Sequence, residues 1–300
     1  HSFPTRRSSD LIAVVGGGAA GMIAAARAAE AGKKVVLLEK GPKSSSSAPY
    51  ATGLRMFDTK WEKDAGVPSG RPAALEMALR NTGGKIDRKL IDNVFDALPA
   101  YFDWCCEWAN TEEYYTLKPS PFSALTVDCK DSEHGSGIFL LNRFFPRCKE
   151  LGVVMLNETP AKELIMENGK VVGVEAEDAG GKVIVHCKNA LIATGSIVNG
   201  EILKLAEPRY PEAFTRRYGH RIYSLTGDGV AMAQRAGIPI HPESMSVAYI
   251  GCLCMPVDMQ CIHYGRPYDT EMLVQIAKKD ALRVNLNGER WVDESYGGDL

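Results

Sequence analysis

The chain has 300 residues, of which 45% are hydrophobic and 24% charged, with a formal net charge of −2. A chain of this length can bury about 75% of its unfolded surface, so a sizeable core is affordable. The near-neutral balance without a basic block argues against nucleic acid as a partner, and no uninterrupted run of about 20 apolar residues suggests a membrane span.

Residues 1–10, HSFPTRRSSD, match no fold element, and the reading treats them as unstructured and extraneous to the native fold. Arg6-Arg7 ahead of an apolar run imitates a twin-arginine export signal. Glycines 16 to 18 interrupt that run, and Arg27 and Glu30 follow it, so strand plus helix explains it better. Cysteines 105, 106, 129, 148, 187, 252, 254 and 261 have no metal or redox spacing. Idle thiols in a reducing cytoplasm are the expectation, with no metal site.

Ile12 to Lys40, IAVVGGGAAGMIAAARAAEAGKKVVLLEK, reads as strand, glycine turn, alanine-rich helix and second strand ending in an acid. That is the pattern of a nucleotide-binding βαβ unit. Gly16 would allow the tight turn, and Gly18 would let backbone approach a diphosphate without a Cβ in the way. Gly21 would bring the helix close to the sheet. The phosphates would sit at the helix N-terminus. Glu39 would bind both hydroxyls of an adenosine ribose and repel a 2′-phosphate. This motif alone does not separate FAD from NAD, because both carry the same ADP half.

Gly41–Gly53 is a serine-rich loop. Helices are expected over 72–82 and 87–109, the second with Leu90, Ile91, Val94, Leu98, Phe102 and Cys105 on its buried face. Pro99 lies inside it and should kink or restart it. Trp104 and Trp108 read as core. A helix is expected over 138–151 after His134–Gly137, then a strand Val153–Leu156. From Ala161 the pattern becomes β, with turns at Asn168-Gly169 and Gly180-Gly181 and a last run, Ala190–Ala193, ending on Thr194-Gly195. A further helix is placed near 200–206. Thr226-Gly227-Asp228-Gly229 opens another; Asp228 is read either as its cap or as a group near a cofactor, readings that are compatible. Asn287-Gly288 marks a turn near the end.

Taken in order, these motifs resemble the flavoprotein superfamily of fumarate reductase and succinate dehydrogenase flavoprotein subunits. The resemblance spans about residues 11–300. It rests on the glycine motif through Glu39-Lys40, Asn168-Gly169 with VVGV, ALIATG at 190–195, TGDG at 226–229 and VNLNGERWVDE at 284–294. It implies an α/β fold: a Rossmann-like FAD-binding domain, with a parallel sheet and a β-meander, over 11–255. The start of an inserted α+β capping domain over 256–300 would follow, in a chain truncated at its C-terminus. It also implies FAD held by Gly16, Gly18, Ala20, Gly21, Glu39, Lys40, Ser46, Gly53, Ala161, Thr194, Gly195 and Asp228.

The resemblance further implies hydride transfer between flavin and a small organic substrate, on CH–CH bonds, with an electron-donor protein as a second partner. Two departures stand out. The loop at Ser44–Ser47 has no histidine for a covalent flavin link, so FAD is expected to be noncovalent. The position matching the proton-donating arginine of fumarate reductases is Gly298, so fumarate itself is not the expected substrate. His263 lies near the place of a substrate-binding histidine and is the catalytic candidate, with a structural role in an apolar stretch as the alternative; Tyr264 and Tyr296 are further candidates to supply a proton, and Arg266 is a solvated cation or carboxylate partner. A flavin protein that only transfers or senses electrons is the alternative. An NAD dehydrogenase would need a catalytic set that is not evident.

Overall fold

In a computed structural model of the chain, the residues described are 11–42, 57–81, 84, 86–110, 112–119, 125–129, 135–195, 226–239 and 287–290. The chain divides into two compact units, His1–Met77 with Asp87–Pro242 and Ala78–Ile86 with Glu243–Leu300. The second unit is described at few positions, among them the Asn287-Gly288 turn, where Gly288 has φ +80°.

The first unit is built on a parallel sheet. Its strands are β1 (Leu11–Val15), β2 (Lys34–Leu38), β5 (Val154–Leu156) and β9 (Asn189–Ile192), in the order β5-β2-β1-β9, all parallel. The apolar runs that mark β1 and β2 in the sequence suit a sheet covered on both faces. Alternation then assigns each residue to a layer. Val14, Val35 and Leu37 pack with Met22, Ala25 and Ala26 of helix α1 (Ala19–Glu30). Cys105 of α4 (Arg88–Ala109) and Phe144 and Cys148 of α5 (Gly135–Glu150) complete that layer.

Ala13, Val15 and Leu38 face the other way, onto an antiparallel meander. It comprises β6 (Ala161–Glu167), β7 (Lys170–Asp178) and β8 (Gly181–His186), and Leu164, Val174, Ala176, Val183 and Val185 supply its apolar side. Met232 of helix α6 (Asp228–Arg235) joins the same layer. Each fully buried Leu, Met or Phe in these layers contributes about 1.5–3 kcal/mol through burial. The Asn168-Gly169 turn falls where expected, both residues at positive φ (+50° and +73°), which suits the primed turn of a tight hairpin.

The remaining elements flank this core. A short helix α2 (Lys60–Asp64) begins in a capping box: Thr59 and Glu62 bond each other's backbone amides. Helix α3 (Arg71–Asn81) follows, and an antiparallel pair, β3 (Tyr115–Pro119) with β4 (Leu125–Cys129), lies after α4.

Helix α4 is one unbroken helix through Pro99, so of the two expected outcomes, a kink or a restart, the restart does not occur. Only one backbone donor is lost there, while Phe95, Phe102, Cys105 and Cys106 are buried along the helix. Its inward stripe is also shifted: Leu90 and Val94 are 60% and 45% exposed, and Phe95 takes the inner position. Helix α5 starts at Gly135, within the His134–Gly137 stretch expected to precede it. Trp104 and Trp108 do pack against the core, with Arg27 4.7 Å over the Trp104 ring. Cys105, Cys106, Cys148 and Cys187 are buried as thiols.

Candidate functional site

The carboxyl ends of β1, β2 and β9 converge on the glycine turn. Gly16 has φ +109°, a conformation an L-residue rarely adopts. Its N–H donates to the Leu38 carbonyl at 2.8 Å, and a Cβ there would overlap the Ala193 carbonyl beyond β9. A Cβ on Gly21 would overlap the Gly16 carbonyl and stand 3.3 Å from Val14 Cγ1. The turn is therefore pressed between α1 and two strand ends, with no room for a side chain at Gly16 or Gly21.

Helix α1 opens without a side-chain cap on Gly18 and without an acid in its first turn. Ala19 and Ala20 are exposed. A helix start with this composition keeps its first N–H groups and the positive end of its dipole available for an external anion. The arrangement fits the diphosphate of a dinucleotide, in chemistry and in the smallness of the surrounding side chains.

Glu39 is 6% exposed, at the end of β2. The Gly17 N–H donates to its Oε2 at 2.7 Å, and the Gly41 N–H donates to its Oε1 at 2.8 Å. Its backbone is held as well: its N–H donates to the Leu156 carbonyl, and its carbonyl accepts from Thr159. One carboxylate thus fixes the glycine turn and the exit of β2 together. Ala161 follows two residues beyond Thr159, at the start of β6, half-buried beside the meander core.

Helix α6 brings a second helix start to this edge. Its N-cap is Gly227, at φ +77°, without a side-chain cap bond. The capping reading of Asp228 is therefore corrected: Asp228 is the first helical residue, and its carboxylate bonds elsewhere. Lys40 Nζ donates to Asp228 Oδ2 at 2.7 Å and to Thr226 Oγ1 at 2.8 Å, and the Thr226 hydroxyl donates to Asp228 Oδ1 at 2.7 Å. Burial disfavours ionisation of Asp228, but the Lys40 and Thr226 bonds outweigh it and hold the carboxyl below its usual range.

Gly229, to which the sequence alone assigns no role, is the docking point of this helix. A Cβ there would overlap Thr194 Oγ1 and Ile192 Cγ2. Thr194 sits between the two glycine contacts, and Gly195 follows at φ +77°, exposed. The signal for Gly229 is its position one residue into an α6 that must lie on the end of β9; without knowing that packing, it reads as one more loop glycine.

The structure thus gathers Gly16, Gly18, Ala20, Gly21, Glu39, Lys40, Thr194, Gly195 and Asp228 around one sheet edge. Ser46, Gly53, His263, Tyr264, Arg266, Tyr296 and Gly298 lie outside the described residues, as does the helix expected near 200–206. Among the described residues no cluster of potential metal ligands occurs, and no helix is long and apolar enough to cross a membrane.

The chain is 25% identical over 185 residues to NADH:acrylate oxidoreductase of Vibrio harveyi, an alignment covering 60% of this chain and 17% of that protein. Its fold is similar to 3-ketosteroid-Δ4-(5α)-dehydrogenase from Rhodococcus jostii RHA1, with TM-score 0.64, 22% identity and coverage of 79% of this chain and 56% of that one. It is also similar to the open conformation of a flavocytochrome c3 fumarate reductase, with TM-score 0.64, 24% identity and coverage of 76% and 41%. The chain therefore spans only part of the length of each protein it resembles. The family described as FAD binding domain matches residues 12–299, and the chain belongs to that family.

Proposed function

We propose that the protein is an FAD-dependent oxidoreductase that moves a hydride between noncovalently bound flavin and a small organic substrate, acting on a CH–CH bond of an activated alkene or its saturated partner. Membership of the FAD binding domain family across residues 12–299 carries this reading, and the uncapped, acid-free start of α1 beside Glu39 supports it locally. Bound FAD supplies the redox chemistry. The first amides of α1 would hold the diphosphate, with Gly18 leaving no Cβ in its way, Ala20 adding only a methyl group, and Gly16 and Gly21 letting turn, helix and strands pack closely around it. Glu39 would accept the ribose hydroxyls while its two amide bonds keep the turn in shape. Thr194, Gly195 and Asp228 would line the same edge, Ala161 would border the adenine, and Ser46 and Gly53 would contribute from the loop after β2. Residues 11–255 would form the FAD-binding domain and 256–300 the beginning of a cap over the substrate, where His263 would orient it.

Gly298 at the place of the proton-donating arginine directs the substrate away from fumarate. The same glycine motivates a second reading, a flavin protein that passes electrons to a protein partner without its own substrate chemistry. The test is reoxidation of the reduced holoprotein by a panel of enones and α,β-unsaturated carboxylates without oxygen. Recovery of the oxidised flavin spectrum together with a saturated product supports the oxidoreductase. Failure with every acceptor, alongside fast reoxidation by protein or one-electron acceptors, favours the second reading.

A further inference from the structure

Two helices begin at the same sheet edge, and they differ in charge. Helix α1 has no acid in its first turn, whereas α6 starts with Asp228. A carboxylate at that position already answers the dipole of α6, so the external anion belongs to α1. Asp228 in turn engages Lys40, whose Nζ spends two of its three donors on Asp228 and Thr226. These partners lie 188 and 186 residues further along the chain; β1 runs between β2, which Lys40 follows, and β9, at whose end Gly229 of α6 packs on Ile192 and Thr194. The backbone around Lys40 needs no help from this bond: Glu39 is held by Leu156 and Thr159, and Gly41 by Glu39 and Glu158. At the start of α6 the cap carries no side-chain bond; Thr226 lies in a β-bridge, and Arg235 ties the far end of the helix to Glu163 and the Lys162 carbonyl, so the Lys40 bonds are the side-chain anchor of its first turn.

We propose that Lys40 is a positioning residue that fixes the first turn of α6 against Thr194, and that it supports the bound dinucleotide through Asp228 and Thr226, not as a phosphate ligand. This rests on FAD occupying this edge. With Lys40 neutralised by a carboxylate at 2.7 Å, little of its charge remains for a phosphate.

The experiment is a double-mutant cycle on FAD affinity, read by quenching of flavin fluorescence, with apoprotein melting measured in parallel. Lys40→Met and Asp228→Asn should each raise the FAD Kd about three- to tenfold, and the double variant should be no worse than the weaker single one. Lys40→Arg, which can keep both bonds, should restore most of the affinity. Thr226→Val gives a milder route should Lys40→Met fold poorly, with a loss of about two- to fivefold that Asp228→Asn largely absorbs. A full additional loss from Lys40→Met in the Asp228→Asn background would overturn the proposal in favour of a direct phosphate contact. A lower melting temperature with unchanged FAD Kd would overturn it in favour of a purely structural pair. Wild-type protein that binds no FAD would instead refute the underlying reading.

Discussion

Glutamate 39 offers the sharpest perturbation, because its two carboxylate oxygens serve two different segments. Oε2 accepts from Gly17 inside the phosphate turn and Oε1 from Gly41 past β2, at 2.7 and 2.8 Å, in a site where the side chain is 6% exposed. Glu39→Gln preserves size but replaces one acceptor oxygen by an NH2 group, so one of the two amides must face a donor. Leaving a buried N–H without its acceptor costs about 1–3 kcal/mol. The variant also loses the charge that strengthens the surviving bond. If the turn must be in this shape to hold diphosphate, about 2 kcal/mol of that cost appears in binding, a rise of roughly 30-fold in the FAD Kd. Titration of the apoproteins with FAD, followed by fluorescence, measures it. Glu39→Asp should fare no better, since a side chain one methylene shorter cannot reach both amides. An FAD Kd within twofold of wild type for Glu39→Gln would refute the idea that this carboxylate organises the turn.

Gly229→Ala sets a helix-propensity gain of up to about 1 kcal/mol against overpacking of about 1–3 kcal/mol on Thr194 and Ile192. Net destabilisation, seen as a melting temperature lower by a few degrees together with weaker FAD binding, is expected; a more stable variant would contradict the docking of α6. Burial pushes the thiols of Cys105 and Cys148 up to about 11, opposed at Cys105 by Tyr101 and Arg27. Both should resist a disulfide reagent at neutral pH until the protein is unfolded, and their stabilising contribution should fade as pH rises from about 9 towards 11. The folded pKa of Asp228 lies below its ordinary 3.8. Its contribution is therefore present above that pH and lost as pH falls through the lower folded value. The melting difference between wild type and Asp228→Asn should shrink in that acid range. The pair is part-exposed, so the difference at neutral pH should not exceed about 1 kcal/mol.

Much of the fold is local in origin and therefore legible. The β1-α1-β2 unit, the Asn168-Gly169 hairpin and the apolar strand before Thr194-Gly195 each announce themselves within a few residues. Helical periodicity also located α4, but it could not choose between adjacent stripes: Val94 and Phe95 are neighbours, and only the surrounding elements decide that Phe95 turns inward. Asp228 was displaced by one position because Gly227, in the left-handed region, takes the cap role a carboxylate often fills. The Lys40 bonds with Thr226 and Asp228 and the seat of Gly229 on Thr194 arise between segments far apart in sequence. They become visible only once the sheet order places β2 and β9 on either side of β1.

The central claim is that the ADP half of FAD is held at the start of α1 by main-chain amides and Glu39. Its most direct measurement is a competition titration of apoprotein with FAD, ADP and FMN. ADP should displace FAD at a single site, FMN should bind far more weakly than FAD, and denaturation should release flavin from an unmodified chain. FMN binding as tight as FAD, with ADP unable to compete, would contradict the account.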